Sequence, residues 1–190
     1  MPTPRIPPLE PPYDPEIAAA LAKMMPPGSP VEPLKLFRTL AHNFRIGDRF
    51  RVLGSGILSK GSVDPADREI VIHRTTARCG SEYEWGVHVT FFGRPLGLTD
   101  AQIAATARGG PDDPAFTERQ ALLVRMSDEL HDTATVSDAL WRELAKRWTA
   151  AQLIELVVTA GFYHLVSYVT NAAGVEREEW AERFPPVSHG

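Results

Sequence analysis

Residues 68–88 read Arg-Glu-Ile-Val-Ile-His-Arg-Thr-Thr-Ala-Arg-Cys-Gly-Ser-Glu-Tyr-Glu-Trp-Gly-Val-His, and they concentrate the groups able to do chemistry. Ser81, Glu84 and His88 stand at i, i+3 and i+7, so a helix through them carries all three on one face. Glu69 lies on the preceding helical segment and can fold back toward them. A carboxylate beside a histidine is the usual apparatus for moving protons in organic substrates. The same residues also have a plain structural use. Ser81 with Glu84 reads as a capping box, and Glu69 as a first-turn acid favoured by the helix dipole. His73, one turn after Glu69, is equally ambiguous.

Other candidates are less specific. Cys79 is either a thiol activated near a helix start or a small buried hydrophobe, and burial is the better reading. His131 follows Glu129-Leu130 near a helix end. His164 follows Tyr163 on the last long helix, where it can reach a pocket or an interface. No His-x-x-x-His or Cys-x-x-Cys pattern is present, so neither a metal nor another cofactor is expected.

The elements that must position these groups are helical throughout. Asp14-Pro15 is a cap followed by proline at the first helical position, starting a helix to Met25 that Pro26-Pro27 stops. A second helix is expected over Glu32–His42, and a third over about Gly47–Leu58 with Phe50, Leu53 and Ile57 spaced for burial. Asp64-Pro65 repeats the cap-plus-proline signature and starts the helix carrying Glu69, which Gly80 breaks. Ser81 restarts it, with Trp85, Val89 and Phe92 as its core stripe. Thr99-x-x-Gln102, Thr117-x-x-Gln120 and Thr149-x-x-Gln152 are further boxes, and Gly109-Gly110-Pro111 ends the helix begun at Thr99. Ser137 caps a helix with Leu140, Trp141, Leu144 and Trp148 at core spacing. The last helix, Thr149–Ala173, is apolar over most of its circumference, which suits burial on several sides and against another subunit. No strand pattern interrupts the series, so the fold class is all-α.

At 190 residues, with 43% hydrophobic and 23% charged residues, the chain is one ordinary globular domain. Residues 1–12 form a proline-rich extended arm, leaving 13–190 as the helical domain. A net charge of −4 without any basic block argues against nucleic acid as a partner. No apolar run approaches the roughly 18 residues of a membrane span, and the N-terminus lacks an apolar signal segment. One cysteine excludes an internal disulfide, and a cytoplasmic protein is expected.

The 69–88 segment resembles the core of the carboxymuconolactone decarboxylase family, whose superfamily includes the AhpD-like alkylhydroperoxidases. The likeness extends to Leu36-Phe-Arg-Thr-Leu-Ala-His-Asn43, Gly97-Leu-Thr-Asp100, Asp128-Glu-Leu-His131 and Gln152-Leu-Ile-Glu-Leu156. It implies an AhpD-like multi-helix bundle. The AhpD-like branch uses a Glu, a Cys-x-x-Cys, and a His four residues after the second Cys. Here Glu69 and His88 match, while Ser81 and Glu84 occupy the cysteine positions. Cys79 lies two residues before the first and does not complete the pair. A serine and a glutamate cannot cycle between dithiol and disulfide, so the dithiol relay is chemically impossible in this chain.

The decarboxylase-like branch implies cofactor-free loss of carbon dioxide from a small cyclic carboxylic acid or lactone. His88, held by Glu69 or Glu84, is then the proton donor and these three are the catalytic residues. Arg74 and Arg78 are placed, by position alone, to hold a substrate carboxylate, with Ser81, Tyr83 and His164 as further substrate contacts. Family members are commonly trimers or hexamers, so a homo-oligomer is expected. Two alternatives stand beside this: an alkylhydroperoxidase working through Cys79, and a non-catalytic oligomeric binding protein.

Overall fold

A computed structural model describes residues 3–25 and 31–186, all helix and loop. In chain order the helices are α1 (Pro15–Met24), α2 (Lys35–Leu40), α3 (Phe44–Lys60), α4 (Pro65–Arg78), α5 (Glu82–His88), α6 (Asp100–Arg108), α7 (Glu118–Thr133), α8 (Asp138–Ala145) and α9 (Ala150–Ala173). A 3₁₀ turn, Ala41–Asn43, joins α2 to α3, and a π-helical turn, Val89–Gly93, extends α5. The all-α expectation holds. Pro26 and Pro27, expected to stop α1, lie outside the described residues.

The central element is α4, whose residues 67–76 are all buried. It runs through the bundle with α5, α6, α7 and α9 around it. Its apolar side chains serve two cores. Ile70 and Val71 pack with Trp85, Leu123, Val124, Leu144 and Leu156, whereas Ile72 packs with Leu36, Ile57, Val87, Phe162 and Val166. A helix buried all round must also satisfy its polar side chains internally. Asp67 accepts from Arg119 at 2.7 Å, and Arg74 forms a two-pronged pair with Asp128 at 2.6 and 2.8 Å.

Local capping signals locate most helix starts. Thr99, Thr117 and Thr149 each make the full reciprocal box with the glutamine three residues on. At Ser81 only half of the box forms: its hydroxyl accepts from the Glu84 amide. The Ser81 amide already donates to Thr76 O at 2.9 Å, so the Glu84 carboxylate is not needed there and turns elsewhere.

Several boundaries and stripes differ from the sequence reading. The third helix begins at Phe44 rather than Gly47, because Asn43 caps it, and it continues to Lys60. Leu53 is exposed while Ile57 is buried. Trp141 is 41% exposed, since the inward residues of α8 are Leu140 and Leu144, with Trp148 buried in the turn that follows the helix. The N-terminal arm packs on its own bundle: Arg5 and Ile6 amides donate to Ala173 O, and the Arg38 guanidinium meets Glu10 at 2.7 Å.

Among the described residues, one helix, α9, has the length and composition of a membrane span, which corrects the sequence-level count of apolar runs. Half of its most apolar window is buried inside the bundle. Ile154, Val158, Leu165 and Tyr168 of α9 remain exposed.

Candidate active site

Glu69 points from α4 to α5, where its Oε2 lies 2.8 Å from His88 Nδ1. On the other ring edge, His88 Nε2 lies 3.4 Å from Glu84 Oε1, one turn earlier on α5. All three side chains are buried. The α4 break at Gly80, with φ +66°, reverses the chain so that α5 lies back along α4. Glu69 is also flanked by Arg68 (Nε to Oε1, 3.4 Å) and His73 (Nε2 to Oε2, 3.8 Å).

The charge pattern follows from burial and neighbours. Burial alone pulls the His88 pKa down, but the Glu69 charge and hydrogen bonds to Glu69 and Glu84 outweigh it and push it up to about 9. Burial raises the Glu69 carboxyl, yet His88, His73 and Arg68 hold it below its ordinary value. The pair is therefore imidazolium–carboxylate at neutral pH. His73 goes the other way: complete burial, outweighing Glu69, lowers it to about 4. Neither of its ring nitrogens has a hydrogen-bond partner, so one histidine of the site is charged and the other neutral.

His88 and Glu84 open onto a cavity of about 380 Å³. Its walls are apolar and largely aromatic. Phe92 stacks on the His88 ring (centroids 4.9 Å, 25°), and Tyr163 meets it edge-on at 4.8 Å. Phe37, Phe50 and Phe162 line the same space, and Lys23 and Arg51 also reach it. Glu84 Oε2 is buried and has no hydrogen-bond partner. Such a site has an apolar container, a proton on a nitrogen at its wall, and one unsatisfied acceptor beside it.

The π-helical turn after His88 explains Phe92, which the sequence reading assigned to the core. An i→i+5 turn shifts the side-chain register, and such turns recur at functional sites. It requires glycine at its end, because a Cβ on Gly93 would sit 2.5 Å from His73 Cε1.

The other sequence candidates lie elsewhere. Arg74 is held by Asp128, Thr106 O and Gly109 O, and Arg78 by Asp132 and Asp128. Neither lines the cavity, so the carboxylate-holding role guessed for them lacks geometric support. Tyr83 donates to Glu178 at 2.7 Å and accepts from the Leu36 amide, tying α5 to α2 and to the C-terminal segment. Ser81 bonds Thr170 at 2.8 Å. His164 and Cys79 sit near His131, away from these walls. Phe50 and Phe92 carried only a core signal by spacing, Phe162 and Tyr163 lay on the broad apolar α9, and Arg51 carried none; their convergence on one cavity is long-range.

No family model matches the chain, and no curated protein matches it in sequence. Solved structures do match, over 68–97% of its length. A peroxidase-related protein from Silicibacter sp. TM1040 is 14% identical, with a TM-score of 0.78 over 97% of this chain and 100% of that one. An Agrobacterium tumefaciens protein of unknown function, ATU0492, described as a candidate antioxidant defence protein AhpD, is 15% identical (TM-score 0.63, 68% and 88% covered). The fold is AhpD-like. The debrominase Bmp8 also matches, 12% identical with a TM-score of 0.75 and 92% of each chain covered. Identities this low establish architecture, not activity.

Proposed function

We propose that the protein is a cofactor-free enzyme that moves a proton at carbon in a small cyclic carboxylic acid or lactone, with decarboxylation as the reaction. The single observation that carries this reading is the buried Glu69–His88–Glu84 line ending in an apolar cavity, with His88 protonated at neutral pH. In this reading the ring lies between Phe92, Phe50, Phe162 and Tyr163, with its carboxylate toward Lys23 and toward Arg51, whose guanidinium also pairs with Asp48 at 2.7 Å. The carbon–carboxylate bond breaks heterolytically, carbon dioxide leaves, and the electron pair passes into the conjugated lactone carbonyl. The Nε2 proton of His88 then goes to carbon, leaving neutral imidazole that takes a proton back from solvent. Glu69 keeps the ring oriented and charged throughout.

The test is turnover of a carboxymuconolactone in deuterated water, followed by carbon dioxide release and enol-lactone formation. One deuterium at the former carboxyl-bearing conjugated system is expected, and His88→Gln should slow turnover by about 10²–10⁴-fold. A well-folded protein with no turnover rejects the named reaction. Turnover that is indifferent to His88→Gln rejects the proton donor.

An alkylhydroperoxidase working through Cys79 has less support. Burial raises that thiol's pKa, lowering its thiolate fraction, and Cys79 does not line the cavity. Thiol-dependent peroxide consumption abolished by Cys79→Ala would reinstate it. A non-catalytic binding protein would lose thermal stability on His88→Ala and gain none from small acids.

A further inference from the structure

Away from this cavity, three ligand-type side chains from three helices converge. Cys79 caps the C-terminus of α4, His131 lies in the last turn of α7, and His164 lies in the middle of α9. One ligand atom from each lies within 4.8 Å of the other two. Cys79 Sγ is 3.8 Å from His131 Nδ1, and the two imidazole rings are 5.1 Å apart at 32°. None is fully buried and none is fully exposed, so an ion can enter from solvent.

The cluster is also supported from outside. Asn171 donates to Cys79 O at 2.8 Å, fixing the backbone that carries the thiol. Tyr168, one turn on along α9, packs on the His164 ring at 4.8 Å between centroids. Asp128 and Asp132 hold Arg78, the neighbouring cation, in ion pairs. His131 and His164 further line a cavity of about 200 Å³ with Thr75, Ser127 and Gly161, which shares no residue with the first.

We propose that Cys79, His131 and His164 form a site for a zinc-type divalent ion, with its fourth position open toward this second cavity. The donor set suits the ion: one thiolate and two imidazoles are the ligands of borderline-soft d-block metals, and three protein ligands leave one position for water or a small anion. Zn–S of about 2.3 Å and Zn–N of about 2.0 Å in a tetrahedron put the donor atoms about 3.3–3.6 Å apart. The S···N separation of 3.8 Å is close to that. The remaining gap needs only side-chain rotation, since 4.8 Å bounds every pair. Binding replaces the thiol proton, released to solvent, by the metal; no electron moves. Sequence spacing hides such a site because its ligands lie 52 and 33 residues apart, with no local pattern.

Cobalt(II) is the probe, added to the full-length protein after chelator treatment. One equivalent should bind, with a sulfur-to-cobalt charge-transfer band in the ultraviolet and tetrahedral bands in the visible, both displaced by Zn²⁺. Cys79→Ser should abolish the charge-transfer band. His164→Ala should weaken binding by about tenfold or more, the scale of losses seen even for outer-sphere partners. His88→Gln should change neither, which separates this site from the proton-transfer site. Absence of the band, or its survival in a folded Cys79→Ser variant, overturns the proposal. Circular dichroism of each variant distinguishes a lost ligand from a lost fold.

Discussion

Replacing Glu69 by Gln removes one charge from the site while keeping its shape and an acceptor for His88 Nδ1. In the native protein, the Glu69 charge and hydrogen bond are the leading contributions opposing the burial that would otherwise lower His88. With its pKa at about 9, His88 holds about a hundred protonated rings for each neutral one at pH 7. Without the carboxylate, burial is opposed only by the smaller Glu84 contributions, and the pKa should fall to about 6.5 or below, leaving about one ring in four protonated or fewer. The change is at least about 3 kcal/mol in proton affinity, at about 1.4 kcal/mol per pH unit. Histidine-ring NMR between pH 5 and 11 reads this directly, with the His88→Gln spectrum assigning the resonance among six histidines. The proton-donor reaction of Glu69→Gln should fall at pH 7 and recover partly as pH is lowered. A midpoint that stays near 9 in the folded variant refutes the electrostatic reasoning, whatever happens to turnover.

Stability should peak near pH 6.5, because the two buried histidines act in opposite directions. His73, lowered to about 4, refuses a proton that the unfolded chain accepts, so stability falls as pH drops from 6.5 toward 4. His88, raised to about 9, contributes fully below 6.5 and loses that contribution as pH rises through 9. Urea midpoints should show both limbs, with His73→Leu flattening the acid one; a flat profile from pH 5 to 8.5 contradicts the assignment. Gly93→Ala should lower Tm by several degrees, since its Cβ meets the buried His73 ring, whereas Gly56→Ala in α3 meets nothing within 4 Å and should raise stability by up to about 1 kcal/mol. Leu165→Glu, in the exposed α9 stripe, should split a homo-oligomer into smaller species in light scattering; a wild-type monomer would remove the idea. Glu84→Gln should leave stability equal or higher while reducing turnover, and a loss above about 1 kcal/mol with unchanged turnover would make Glu84 a structural residue.

What the sequence revealed divides by range. The Asp-Pro and Thr-x-x-Gln starts are local, and they located α1, α4, α6, α7 and α9 within a residue or two. The juxtaposition of Glu69, Glu84 and His88 was legible because a single glycine turn separates two short helices. The cavity was not. Its walls come from α1, α2, α3, α5, the π-helical turn and α9, and nothing in a periodic pattern says which half-buried aromatics converge. The same limit misled the reading of Arg74 and Arg78, whose partners Asp128 and Asp132 are each 54 residues away. It also hid the Cys79–His131–His164 cluster.

The strongest physical case for chemistry at the first site lies in what Glu84 does not do. Glutamine completes a reciprocal box at three other helix starts, so this fold can close such motifs. At Ser81 the return bond is absent, and the carboxylate instead sits 3.4 Å from a charged imidazole with its second oxygen unpaired. A buried acceptor without a donor costs about 1–3 kcal/mol, and an ordinary helix start gives no return for it. Arg68, Glu69, His88 and Glu84 together carry balanced charge, so the cluster as a whole is tolerable in an apolar core. Replacing such buried ionic groups with hydrophobic ones is often neutral or stabilising, so stability alone does not account for them. A donor group on a bound molecule would satisfy Oε2 at the same wall where His88 presents its proton. The unmet hydrogen bond and the movable proton therefore face one space, and a ligand is the simplest occupant that answers both.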